Sequence, residues 1–152
     1  DGDGVLNLIE AAVAEGVGTF VLQSSIGVGD SRQGMPLWAR LVVLRWAVRE
    51  KERAEQALVE SGLDYVIVRP GWMNDDPATG DVLIAEGSKM MTGSIPRADV
   101  ARLMVASLYA PEVINRTFEV VARIDAKAVA PPSLIDSSWV RQTSPAETSS
   151  EA

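Results

Sequence analysis

Residues 61–71 read Ser61-Gly62-Leu63-Asp64-Tyr65-Val66-Ile67-Val68-Arg69-Pro70-Gly71, and the rest of the chain is best arranged around them. Tyr65 to Val68 is a short apolar, β-branched run with Gly62 before it and Pro70-Gly71 after it. A run of this kind predicts a strand buried on both faces, as in parallel α/β sheets. A long helical segment leads into it, and Ser61-Gly62 is a good helix stop. At the far end Pro70 removes a ladder donor and Gly71 frees the backbone. Loops at the carboxyl ends of strands line the ligand crevice of open α/β sheets, so a site is expected just beyond Arg69.

Outward from that strand, helical and strand patterns alternate. Val5, Leu8, Ile9 and Ala12 make an amphipathic helix of residues 5–15, stopped by Gly16 and Gly18. Residues 19–23 predict a strand, and Ser24 to Gly29 the loop at its carboxyl end. A helix over 37–59 follows, apolar nearly all round in its first part and charged from Arg49 to Gln56. Past Gly71 come a turn-rich loop over 74–80 and two short strands over 81–86 and 89–92. Ser94-Ile95-Pro96 is expected to start a helix with a core stripe of Val100, Leu103, Met104 and Leu108, ended by Pro111. Residues 117–121 give a last strand, and from about Arg123 the tail is expected to be largely disordered. The domain is therefore placed at residues 1–123 and the tail at 124–152. Strand 19–23, helix 37–59 and strand 65–69 form one right-handed βαβ unit, which sets loops 24–29 and 70–73 on the same rim.

The 152 residues suit about one domain, and 47% hydrophobic with 23% charged residues is ordinary for a globular chain. A net charge of −7 argues against sequence-blind nucleic-acid binding and against docking on anionic membranes. No apolar run reaches the roughly 18–20 residues that span a bilayer. The absence of cysteine and histidine excludes disulfides, thiolate nucleophiles, Ser-His-Asp triads and imidazole metal sites, and no metal is expected. A cytoplasmic location is the default expectation.

Five stretches in order resemble one family. These are Gly4 to Ala12, Phe20 to Val28, Lys51-x-x-x-Glu55-x-x-Leu58 running into Ser61 to Gly71, Ser94 to Ala101, and Thr117 to Val120. Together they are similar to the atypical short-chain dehydrogenase/reductases, the NmrA-like NAD(P)-binding group. The resemblance implies a partial Rossmann-type parallel sheet flanked by helices and a bound NAD or NADP. It covers about residues 4–122 and lacks the amino-terminal βαβ units and their G-x-G-x-x-G turn. The expectation is thus the carboxyl-terminal half of the domain. On its own that half should bind NAD(P) poorly and present an open edge at strand 19–23.

By the same resemblance, Ser25 polarises a substrate carbonyl, with Ser24 and Ile26 beside it. Lys51 holds the nicotinamide ribose, and Pro70, Gly71, Trp72 and Met73 meet the nicotinamide ring. Each has a plainer reading: serines satisfying a loop, a solvated Lys51–Glu55 helix pair, a strand-ending turn. The family tyrosine that would precede Lys51 by four residues is replaced by Ala47. Arg97 and Asp99 read as a helix-terminal pair. The expected function is NAD(P)H-dependent reduction of a small carbonyl or quinone, the alternative a non-catalytic NAD(P)-sensing regulator or scaffold. The apolar stretch 37–46, with Leu37, Leu41, Leu44 and Trp46, is expected to serve as a lid or a homo-oligomer contact.

Overall fold

The computed structural model describes residues 2–34, 47–86, 91–128 and 133–142. Helix α1 (Gly2–Ala14) leads to β1 (Thr19–Gln23), and a 3-10 turn spans Gly29–Gly34. Helix α2 (Ala47–Glu60) is followed by β2 (Asp64–Pro70) and β3 (Trp72–Asn74). Then come β4 (Val82–Glu86), β5 (Met91–Thr92), β6 (Ser94–Pro96) and helix α3 (Arg97–Ser107). Strand β7 (Arg116–Ala122), β8 (Lys127–Ala128), β9 (Ser133–Ile135) and helix α4 (Ser138–Gln142) complete the order. The apolar stretch 37–46, and with it the first part of the expected helix, lies outside the described residues.

The main sheet runs β1-β2-β7-β4-β9. β1, β2 and β7 are parallel, with Val21 opposite Val66 and Val68 opposite Phe118. β4 lies antiparallel to β7 and to β9, so the sheet is mostly parallel with an antiparallel strand let into it. The expectation of a doubly buried strand at 65–68 holds in its centre, where Val66, Ile67 and Val68 are buried. Successive residues of β2 point to opposite faces. Ile67 meets Ile9, Leu22, Ala54 and Leu58 under α1 and α2. Val66 and Val68 meet Leu103, Phe118, Val120 and Trp139 under α3 and α4.

Four expectations are corrected. Ser94–Pro96 is a strand, not a helix start: Trp72 pairs with Ser94 and Met73 with Ile95, and the helix opens at Arg97 after Pro96. Leu108 caps α3, which ends at Ser107 before Pro111 is reached, and so the side chain falls off the core stripe and stays exposed. Leu8 is likewise exposed, because one layer of sheet covers only part of α1. Among the described residues of the tail, β8, β9 and α4 are formed elements. β8 pairs with β5, β9 takes the outer edge of β4, and Trp139 and Val140 are buried against the α3 face. Its composition is polar, but β4 offers a free ladder edge and the α3 face an apolar surface, and burying one tryptophan outweighs many solvated serines.

The loop over 74–80 is held by α3. Asp99 is buried in the first turn and accepts from Thr79 N and Oγ1, each at 2.8 Å, and from Gly80 N at 3.0 Å. Arg97 Nη1 donates to exposed Asp75 at 2.7 Å. Both residues are thus structural, as the helix-terminal reading expected, with a loop as their object.

Candidate functional site

Because β1, β2 and β7 run parallel, Gln23, Pro70 and Ala122 all end on one rim. Beyond β1 the ladder continues: Ser24 N donates to Val68 O at 2.7 Å and Ile26 N to Pro70 O at 3.0 Å. These bonds pin the Ser24–Gly29 loop to the end of β2. The loop then folds back through Ser31, whose Oγ accepts from Gly27 N and donates to Val28 O, both at 2.7 Å. Ser24 is buried, and its hydroxyl has no hydrogen-bond partner among the described residues. Ser25 is half-buried at the rim.

Lys51 comes from the facing side of α2, and its Nζ reaches the carbonyl oxygen of Ser24 at 3.5 Å. Burial strips water from this ammonium and lowers its pKa, an effect the nearby Glu55 charge opposes. The solvated Lys51–Glu55 pair expected from the sequence is corrected here. Glu55 is buried and turns its carboxylate to Arg69, accepting from Nε at 3.0 Å and Nη2 at 2.7 Å. Arg69 Nη1 donates to Asp30 at 2.6 Å. Burial alone would depress the guanidinium, but the bonds to Glu55 and Asp30 outweigh it and raise its pKa above the ordinary arginine value. Gly29 fits against this guanidinium at φ +59°, where a Cβ would lie 2.7 Å from Nη2. One arginine therefore ties together strand β2, helix α2 and the loop that carries Ser24 and Ser25.

The sequence pairs Glu55 with Lys51 and marks neither Arg69 nor Asp30 as its partner. A signal was present: an arginine closing an otherwise apolar strand must be paired when buried, which calls for a carboxylate on the covering helix. Pro70 is buried, and Gly71 N donates to Val120 O at 2.9 Å. Trp72 is 80% exposed, and Met73 Sδ accepts from Gln23 Nε2 at 3.6 Å. The rim thus gathers Ser24, Ser25, Ile26, Lys51 and Pro70 to Met73. Tyr65 stands at the other end of β2, where its carbonyl accepts from Asn115 N ahead of β7, and Tyr109 lies in the turn that leads there. Neither tyrosine is on the rim.

The residues fit one end of a dinucleotide. The Ser24 hydroxyl is buried without a partner among the described residues, and the Lys51 ammonium stands over the strand end, so both offer donors that ribose hydroxyls or a carboxamide could use. The glycine-rich turn that would take the pyrophosphate does not occur in the sequence. Residues 1–111 match the NAD(P)H-binding family.

The chain belongs to that family, within the atypical short-chain dehydrogenase/reductases. An uncharacterised chloroplastic protein of Arabidopsis thaliana is 36% identical over 129 residues, covering 83% of this chain and 46% of the relative. Sanguinarine reductase of Eschscholzia californica is 35% identical over 121 residues, 76% of this chain and 42% of the relative. Among solved structures, the anaerobillin reductase ChuY of Escherichia coli O157:H7 superposes with a TM-score of 0.71 at 30% identity. That match covers 85% of this chain and 59% of the other. The chain spans about half the length of these relatives. Membership supports nicotinamide-dinucleotide binding, without distinguishing NAD from NADP, and goes with the Rossmann-type fold.

Proposed function

We propose that this chain forms the nicotinamide end of an NAD(P)H-dependent reductase acting on a carbonyl or quinone. The observation that carries the reading is the reach of Lys51 from α2 to the carbonyl of Ser24, beside a buried hydroxyl without a partner among the described residues. Lys51 would hold the nicotinamide ribose, and Pro70, Gly71, Trp72 and Met73 would flank the ring, with Ser24 and Ile26 bounding the opposite side. NAD(P)H, when bound, would supply the hydride for the carbonyl carbon. The Ser25 hydroxyl donates a hydrogen bond to the carbonyl oxygen and passes it the balancing proton, which solvent restores. Two relatives named as reductases support this reaction class.

A second reading, a non-catalytic NAD(P)-sensing regulator, is favoured by one observation. Ala47 opens α2 four residues before Lys51, and neither Tyr65 nor Tyr109 reaches the rim to serve as acid. The two are separated by titrating the protein that contains this chain with NADH and NADPH, then supplying carbonyls and quinones. The reductase reading expects turnover that Ser25→Ala lowers by about 10²-fold. Tight nucleotide binding with no turnover on any compound would establish the regulator.

A further inference from the structure

Beyond the strand ends, the rim holds a cavity of about 400 Å³ bordered by Thr92, Gly93, Ser94, Ile124, Asp125 and Lys127. That volume falls within the range of small-molecule sites. Four contacts place it next to the Pro70–Met73 end of the rim. Gly71 packs directly on the backbone of Gly93, and Trp72 N donates to Gly93 O at 2.9 Å. Trp72 is the parallel register partner of Ser94, so both side chains leave the β3·β6 ribbon on the same face. Ile26, from the Ser24–Gly29 loop, and Ala126, from the cavity wall, pack on the same small cluster of Ala85 and Val121.

The chemistry of the walls is uneven. Ile124, in the cavity lining, is 87% exposed, and Trp72, the register partner of the lining residue Ser94, is 80% exposed, a large uncovered apolar area beside the cavity. The rest of the lining is polar and tied together: Ser94 Oγ donates to Asp125 Oδ2, and Thr92 Oγ1 donates to Lys127 O at 3.3 Å. We propose that this cavity is the substrate subsite and that it takes planar ring carbonyls in preference to small aliphatic ones. The ring face lies along Trp72 and Ile124, and the substrate's polar edge meets Ser94 and Asp125. An exposed indole gains by stacking on a flat ring what an aliphatic chain cannot return. The inference rests on the reductase reading, which it deepens by naming the substrate class.

The test uses the protein that contains this chain, with 1,4-naphthoquinone as ring carbonyl and 2,3-butanedione as aliphatic control. In steady-state assays with NADPH, Ile124→Ser should lower the ratio of kcat/KM for naphthoquinone over butanedione about tenfold. NADPH affinity by calorimetry should stay within twofold. Calorimetric titration of naphthoquinone into the cofactor-free protein should show the same tenfold weakening in Ile124→Ser, and again in Trp72→Leu. An unchanged ratio and unchanged naphthoquinone affinity in both variants would overturn the proposal, as would a wild-type preference for butanedione. Failure of the wild type to bind either NADH or NADPH would instead sink the reductase reading, and the naphthoquinone titration would still decide the cavity.

Discussion

The α-carbon of Gly71 rests on the carbonyl of Gly93: a Cβ at position 71 would lie 2.3 Å from that oxygen. Two backbones cross here, at the seam between β2 and the strand that leads into α3. Since a carbonyl oxygen cannot turn aside as a side chain can, Gly71→Ala should cost about 2–3 kcal/mol. A thermal melt beside the wild type checks this. An unshifted midpoint would mean the seam opens freely.

Removing Glu55 leaves the Arg69 guanidinium buried with only the exposed Asp30 to face, each of the buried partners being 9% exposed in its side chain. Glu55→Ala is expected to destabilise by about 3–5 kcal/mol, and Asp30→Asn by about 1 kcal/mol or less. The double variant Glu55→Leu with Arg69→Met should recover most of the loss, since an apolar pair of similar volume needs no compensation. Urea unfolding of the three variants measures it. A double variant as unstable as Glu55→Ala would assign the cost to packing, not charge.

Lys51 makes stability depend on pH in the alkaline range. Its folded-state pKa lies below the ordinary lysine value of 10.5, because burial disfavours the ammonium more than Glu55 restores it. Between the folded value and 10.5 the unfolded chain holds a proton that the folded chain has released. Stability contributed by this residue therefore rises with pH through that window. Urea midpoints across the window should climb less in Lys51→Met than in the wild type; parallel curves would contradict the burial.

Trp139 is 5% exposed and meets Phe118 edge to face, with ring centroids 6.2 Å apart. Trp139→Ala should cost about 3–5 kcal/mol in unfolding free energy. Loss of near-ultraviolet circular dichroism at lowered temperature would accompany it. A change within about 0.5 kcal/mol would show that the tail merely lies on the surface.

Much of the frame was legible because it is local. The run Tyr65 to Val68 has one periodicity and clear stops, so its strand and the βαβ unit around it could be read directly. Ser24, Lys51 and the Pro70–Met73 stretch converge because parallel strands share a rim, which topology alone predicts. The missed parts depend on pairings distant in sequence. Arg69 finds Glu55 fourteen residues away across a helix–strand packing, and no periodicity reports that. The cavity joins Gly93 to Asp125 through segments whose local composition is that of loops. Trp139 was overlooked for a related reason: one aromatic in a polar stretch carries no pattern, only area.

The place of β4 in the sheet has a consequence during synthesis. Residues 82–86 emerge from the ribosome before either of their neighbours, since β7 begins at Arg116 and β9 at Ser133. Until those strands arrive, Val-Leu-Ile-Ala-Glu is an apolar segment with both ladder edges bare, whereas β1 and β2 can already pair with each other. A pause in translation anywhere between these points prolongs that exposure and with it the opportunity for aggregation through these edges.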